Sequence, residues 1–404
     1  DVSKVSDMTE MFEGATNFNQ NLGDWDTSNV TNMTNMFKDI TLSTTNYDAT
    51  LTGWHTDTSG VANDGIDDVS SNITFSGGNS EYCTADTVWN SLDTTFNWTI
   101  TDAGLGCTNE DYFITTWLVA ENETITIPTA GSNYNYDVDW SYNGVTFNAE
   151  STSVTSNATS TTLTAGTHTV AIRGAFPKIY FNNTDDKDKI QTVEQWGAIL
   201  WSSMNSAFRG CSNLTYNATD TPDLSQVANM SLMFFSATSF NGDISNWDVS
   251  KVNNMQGMFR NAQSFNQNIS SWDVSKVTNM REMFFAATSF NGDIGNWDVS
   301  IVDNMQGMFR NARSFNQDIS SWDVSKVTNM REMFFAAISF NKPLETWNTK
   351  SVGSLEEMFQ YAESFNQPLG SWDISNVTKL NNMFTGVTLG RANYDATLIG
   401  WHTD

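Results

Sequence analysis

The chain has 404 residues, with 15 Trp, 26 Phe, 17 Met, 3 Cys and 5 Pro, and 13% of it is aromatic; that is too aromatic for a disordered chain, and the length suits two or three domains. Nineteen Lys and Arg face 46 Asp and Glu, a net charge of −27, which argues against nucleic acid and anionic lipid as partners. No run of about 18 apolar residues occurs, so no segment is expected to insert in a membrane.

The acidity is uneven. From Asp39 to Ile172 there is no Lys or Arg, against 17 Asp and Glu. Such a surface keeps the chain soluble and attracts cations. The chain opens on Asp1 without a leader-like pattern, and so reads as a processed or partial segment that cannot report its own targeting.

Residues 1–41 read as the end of a preceding solenoid. Residues 1–57 match 348–404 without a gap, at a constant offset of 347 with 32 identities in 57; Trp25 matches Trp372, and Tyr47 matches Tyr394. The chain therefore spans a little more than one period of a long super-repeat, and the parent is expected to be a string of such modules.

Residues 42–107 read as a C-terminal solenoid cap. Tyr47, Leu51 and Trp54 share a helical face, and Val88, Trp89 and Leu92 suit a second helix. Ile73 with Phe75, and Trp98 with Ile100, suit strands. Cys83 and Cys107 bracket the second half. A disulfide there, closing a loop of about 25 residues and worth ~3 kcal/mol, is expected over two buried thiols because the other features suit an extracellular chain. Asn63, Asp64, Asp67 and Asp68 cluster in a Gly-containing loop and form one candidate Ca²⁺ site.

Residues 108–181 read as a small all-β sandwich. Tyr134, Tyr136, Val138 and Trp140 alternate with Asn133, Asn135, Asp137 and Asp139, and several short strands separated by polar turns suit such a domain. A second candidate Ca²⁺ cluster, Asp185, Asp186 and Asp188, follows it. Neither cluster has EF-hand spacing, and for each the plain alternative is a solvated acidic loop. No other cofactor is expected.

Residues 182–387 read as an N-terminal cap followed by a 25-residue-repeat solenoid. Trp recurs at Trp247, Trp272, Trp297, Trp322, Trp347 and Trp372, and Phe-Asn and Met-Phe pairs keep the same step. Trp247 and Val249 suit a short strand. Ser250 then stands as an N-cap, with Val252, Met255, Met258 or Phe259, and Ala262 at helical spacing. Such a unit cannot bury its apolar stripe alone, and stacking buries it continuously. The expected fold is an α/β solenoid, leucine-rich-repeat-like, with a short strand and a short helix per coil, plus the separate sandwich. Residues 239–288 and 289–338 differ at only six positions, so the array grew by copying two coils together. Residues 388–404 open the next cap.

Catalytic chemistry finds little to stand on. The histidines are His55, His168 and His402, and no metal, phosphate-loop or nucleophile motif occurs. The Asp after each Trp (Asp248, Asp273, Asp298, Asp323, Asp373) suits a turn or cap acceptor. The Asn of each Phe-Asn pair suits an internal hydrogen-bonded ladder. Cys211 has no partner and suits the core. The expectation is that the protein is not an enzyme.

The units FNGDISNWDVSKVNNMQGMFRNA and FNQNISSWDVSKVTNMREMF resemble the 25–26-residue repeat of BspA-like bacterial surface proteins, a divergent leucine-rich-repeat group. The stretches AGTHTVAIRGAFPKIYFNN and NYDATLTGW…GLGC resemble the β-domain and the ending that flank those repeats. The resemblance implies an extracellular, surface-displayed tandem protein associated with adhesion or surface structure, and no catalytic residues. Two functions are carried forward. The first is a structural and adhesive stalk, fibre or filament whose modules self-associate head to tail. The second is a glycan- or host-protein-binding adhesin that uses the solenoid face or the sandwich loops.

Overall fold

The structure is a computed structural model and describes residues 2–56, 69–83 and 85–403. Regular secondary structure among them is mainly strand, with three α-helices: α1 (Thr44–Thr56), α2 (Asp86–Thr94) and α3 (Arg391–Thr403). The twelve strands form one six-stranded sheet and three two-stranded sheets.

The six-stranded sheet is built from β5 (Phe113–Val119), β7 (Asn135–Asp139), β8 (Ser151–Val154), β10 (Gly166–Ala175), β11 (Ile190–Gln195) and β12 (Thr215–Tyr216), in the order β12-β11-β5-β10-β7-β8. β11 and β12 run parallel and the other pairs antiparallel. β6 (Thr126–Ile127) pairs β9 (Ala158–Thr159) beside it. In the N-terminal segment, β1 (Thr74–Ser76) pairs β3 (Thr99–Thr101), and β2 (Glu81–Tyr82) pairs β4 (Gly104–Leu105), both parallel.

These observations correct the fold expected from the sequence. The α/β solenoid is not what the structure shows, because the repeat units between Tyr216 and Arg391 contain neither the expected strand nor the expected helix. The physical reason lies in the backbone. Gly257 and Asn261 both have φ of +58°, inside the stretch predicted as helix, and an α-helix needs φ near −63° throughout. Alternate amides also point away from their own unit. Met255, Gly257, Phe259 and Asn261 donate to Asn279, Arg281, Met283 and Phe285 of the next unit, at 2.7–3.1 Å. The amides between them close local turns, as Met258 does on Met255. Each unit is a run of turns, joined to its neighbour by single bridges such as Asn254 to Asn279 and Asn279 to Asn304.

In the segment expected to be a separate all-β domain, the six-stranded sheet and the β6–β9 pair share a core; that sheet takes β11 and β12 from beyond residue 181, and the core continues into the repeats, running from Phe113 through Trp196 and Phe208 to Met383. Residues 2–56 and 69–98 hold a second core around Met33, Phe37, Trp54, Phe75 and Trp98.

The repeat core is a set of columns. Phe259, Phe284, Phe309, Phe334 and Phe359 stack at centroid spacings of 5.5–5.8 Å. All are fully buried. From Trp272 to Trp372 each repeat indole also has a carbonyl acceptor, as Trp297 donates to the Ile269 carbonyl at 3.1 Å and Trp322 to Ile294 at 3.0 Å, whereas the buried Trp247 indole has none. A buried indole N–H without an acceptor would be destabilising by ~1–3 kcal/mol, so the Ile carbonyl fixes the ring as firmly as packing does.

Candidate functional site

The residues singled out for chemistry are dispersed. Asn63, Asp64, Asp67 and Asp68 lie outside the described residues. Asp186 is engaged by Lys189 at 3.0 Å and by the Thr126 amide at 2.6 Å. Asp188 meets Lys187 at 2.7 Å, and Asp185 accepts from the Thr184 hydroxyl at 3.1 Å. No three His, Cys, Asp or Glu side chains are grouped as metal ligands among the described residues. His55 lies 3.0 Å from the Ser91 hydroxyl, and burial lowers its pKa; His168 lies 2.9 Å from the Thr164 carbonyl. Cys83 and Cys107 are joined by a disulfide, and Cys211 is buried.

The N-terminal segment is tied by two acids, Asp48 buried and Asp102 half-buried. Asp48 accepts the amides of Cys83 (2.9 Å) and Ala85 (3.2 Å), which fastens α1 to the disulfide loop. Asp102 takes the Tyr47 hydroxyl at 2.6 Å and the Trp89 indole at 2.8 Å. Burial, then the Asp102 charge, hold the Tyr47 hydroxyl well above the usual phenol range.

A cleft of about 240 Å³ lies between Gly23 with α1 and the segment carrying Ala198, Leu200 and Asp223. Asp48 in its wall is already bonded to the cap. A shallower acidic hollow beside it holds Glu110, Asp111, Glu194 and Asp220. Asp220 there accepts the Trp196 and Gly197 amides at 2.8–3.1 Å, and Asp111 caps Thr108. These carboxylates hold turns together.

The Asp after each Trp does the same in the repeats. Asp248, Asp273 and Asp323 each accept the amide of the Ser two residues on, at 3.0 Å. The Ser hydroxyl, then its amide, lower these carboxyls below their ordinary range. The Asn of each Phe-Asn pair forms the inter-unit ladder: Asn291, Asn316 and Asn341 donate backbone N–H to the side-chain oxygen of Asn266, Asn291 and Asn316, at 2.8–3.0 Å.

The best-built outward surface went unforeseen in the sequence. Phe235, Arg260, Phe285, Arg310 and Phe335 fill one column at 25-residue steps and are all half-buried. The Arg260 guanidinium carbon lies 5.3 Å from the Phe235 ring centroid and 4.4 Å from that of Phe285; Arg310 lies 5.4 Å from Phe285 and 4.3 Å from Phe335. Glu282 holds both Arg260 and Arg281, and Glu332 holds both Arg310 and Arg331. The signal was present: adjacent units alternate Arg and Phe, and the 50-residue copying repeats the pair.

A ladder of near-identical units with inward aromatic columns defines a tandem-repeat protein. The family model described as Mycoplasma protein of unknown function, DUF285, matches residues 1–71, 202–310 and 291–396. These matches take in more than half of the chain, and the chain belongs to that family. No curated protein and no solved structure matches it. No helix among the described residues is long and apolar enough to cross a membrane.

Proposed function

We propose that the protein is a structural and adhesive component of a bacterial cell surface, of BspA-like kind, whose tandem units present the same outer residues repeatedly and associate with further copies. The observation that carries this reading is the register of the repeat. From Asn229 to Lys379, bridges join positions 25 residues apart without a break. A surface built this way offers one patch many times, and many weak contacts on one chain add up as avidity. The acidic segment and the disulfide suit an extracellular setting.

A glycan- or protein-binding role is the second reading, and the Arg–Phe column favours it. Half-exposed rings held between guanidinium groups make a flat face that sugar or aromatic groups can stack on. Electron microscopy of native material, beside a glycan array, separates the two. Filaments or stalks without a glycan hit support the first reading. Isolated monomers with a specific hit, lost in Arg260→Ala and Arg310→Ala, overturn it in favour of the second.

A further inference from the structure

We infer that the Arg–Phe column is a binding site for a linear acidic polysaccharide that carries a carboxylate on every second sugar. This names the ligand class for the glycan-binding reading above and rests on it. The first observation is which charges reach the surface. The side chains of Arg260, Arg281, Arg310 and Arg331 are 27–42% exposed, whereas those of their partners Glu282 and Glu332 are 13% and 11% exposed. The carboxylates lie beneath and the guanidinium groups above. Residues 256–261 and their repeat equivalents, from 231–236 to 331–336, hold no other acid. Four cations over two covered anions leave a positive strip on a chain whose net charge is −27, and such a strip draws anions.

The guanidinium groups are also short of acceptors. Arg260 and Arg310 each give Nη1 to a Glu oxygen, and among the described residues their Nη2 groups meet none. The Nε of all four Arg is buried and makes no hydrogen bond. Buried donors left unbonded cost stability, so the strip is not arranged for the fold alone. Its geometry is fixed in advance: the Phe285 ring centroid lies 4.4 Å from the Arg260 guanidinium carbon and 5.4 Å from that of Arg310. A fork held in place loses little entropy on binding, and its planar N–H groups suit the oxygens of a carboxylate.

The period selects the ligand. Arg and Phe alternate rung by rung, so Arg260 and Arg310 stand two rungs apart, ~10 Å at the usual spacing of neighbouring strands. Two rings of an extended glycan cover about the same distance. A polymer with a carboxylate on every second sugar therefore sets its acids on Arg260 and Arg310, and its neutral sugars, by their C–H faces, on Phe285 and Phe335. An extended acidic peptide brings same-side groups round every ~7 Å and falls out of step. The 50-residue copy kept the strip whole: the six positions that differ between 239–288 and 289–338 all lie outside residues 256–261, 281–286 and their equivalents.

The test is calorimetric titration of the 404-residue chain with hyaluronate oligosaccharides, which carry one carboxylate per disaccharide. The hexasaccharide should bind about tenfold or more tighter than the disaccharide, because only the longer chain reaches both Arg. Arg260→Gln with Arg310→Gln should weaken the hexasaccharide by about tenfold or more, with little change in Tm. Arg260→Lys with Arg310→Lys, which keeps the charge and loses the fork, should fall between. Lys276→Gln, in another exposed column, should bind as the wild type does. Hyaluronate binding that neither double variant weakens overturns the site. Polygalacturonate, with a carboxylate on every sugar, binding far tighter at equal length overturns the two-rung register in favour of charge density. Polyglutamate binding as tightly as hyaluronate overturns the polysaccharide in favour of an acidic protein. A neutral glycan bound in place of hyaluronate, and lost in the Gln variant, overturns the acidic ligand while leaving the glycan-binding reading standing. No glycan binding, charged or neutral, removes both.

Discussion

Phe309→Ala tests the stacked core most directly. Phe309 is fully buried, lies 5.8 Å from Phe284 and 5.6 Å from Phe334, and packs on Phe315 at 3.9 Å. Removing a ring closed in on all sides costs the transfer energy of the ring plus the cavity left behind, ~3–5 kcal/mol. Phe384 occupies the same column at its end, 6.0 Å from Phe359 and 6.4 Å from Trp401, and is only partly buried. It has a ring on one side of the column only, and its cavity opens to solvent. Phe384→Ala should therefore cost less than half as much, ~1–2 kcal/mol. At roughly 2–4 °C per kcal/mol for a unit of this size, Phe309→Ala lowers Tm by on the order of 10 °C and Phe384→Ala by a few degrees. Calorimetry reads Tm. Hydrogen exchange at the Phe284 and Phe309 amides, which bond Met308 and Met333, shows whether the loss is local or shared, since repeat arrays need not unfold in one step. Equal losses in the two variants, or a loss below about 1 kcal/mol in the first, would refute the argument that covering by both neighbours holds the ladder.

Reduction of the Cys83–Cys107 bridge, 24 residues apart, should destabilise the N-terminal core by ~3 kcal/mol and leave amide protection in the repeats unchanged; faster exchange at Phe284 on reduction would contradict the separation of the two cores. Gly307 has φ of +60° and its added Cβ would meet nothing closer than Glu282 Cγ at 3.4 Å, so Gly307→Ala should cost ~1 kcal/mol from backbone strain alone, read by urea titration, and a neutral result would be evidence against the left-handed turn. Asp323→Asn should be tolerated, as Asn348 is at its repeat position with 3.2 Å to the Lys350 amide, whereas Asp323→Ala should cost ~0.5–2 kcal/mol; the same urea assay compares them. Asp248, Asp273, Asp318 and Asp323 are lowered in the fold by Ser hydroxyls and amides, so their stabilisation is complete above the ordinary carboxylate range near pH 4 and is lost as pH falls through their lower folded values. A Tm that does not fall between pH 4 and pH 2 would contradict it.

Much of this was legible because the same residue type recurs at one step. Phe and Trp held constant in a column have to face a constant environment, and the interior of a stack is such an environment. α1, β1, α2 and β3 could be read from Tyr47, Phe75, Trp89 and Ile100, since each sits in a short periodic run next to turn residues. The repeat unit itself misled. Val252, Met255, Met258 and Ala262 are spaced as on a helix, but a run of turns with two left-handed residues four positions apart, Gly257 and Asn261, also buries them together. Gly257 and Asn261 hint at that conformation. Glu282 and Ala286 at the equivalent positions, with φ of +56° and +52°, do not, because nothing in those side chains asks for positive φ. Their conformation is imposed by hydrogen bonds to the next unit. β11 and β12 were hidden for a similar reason: each gains its partner only after the chain has folded back on β5. The Arg–Phe column was lost by averaging over 25 residues a pattern whose true period is 50.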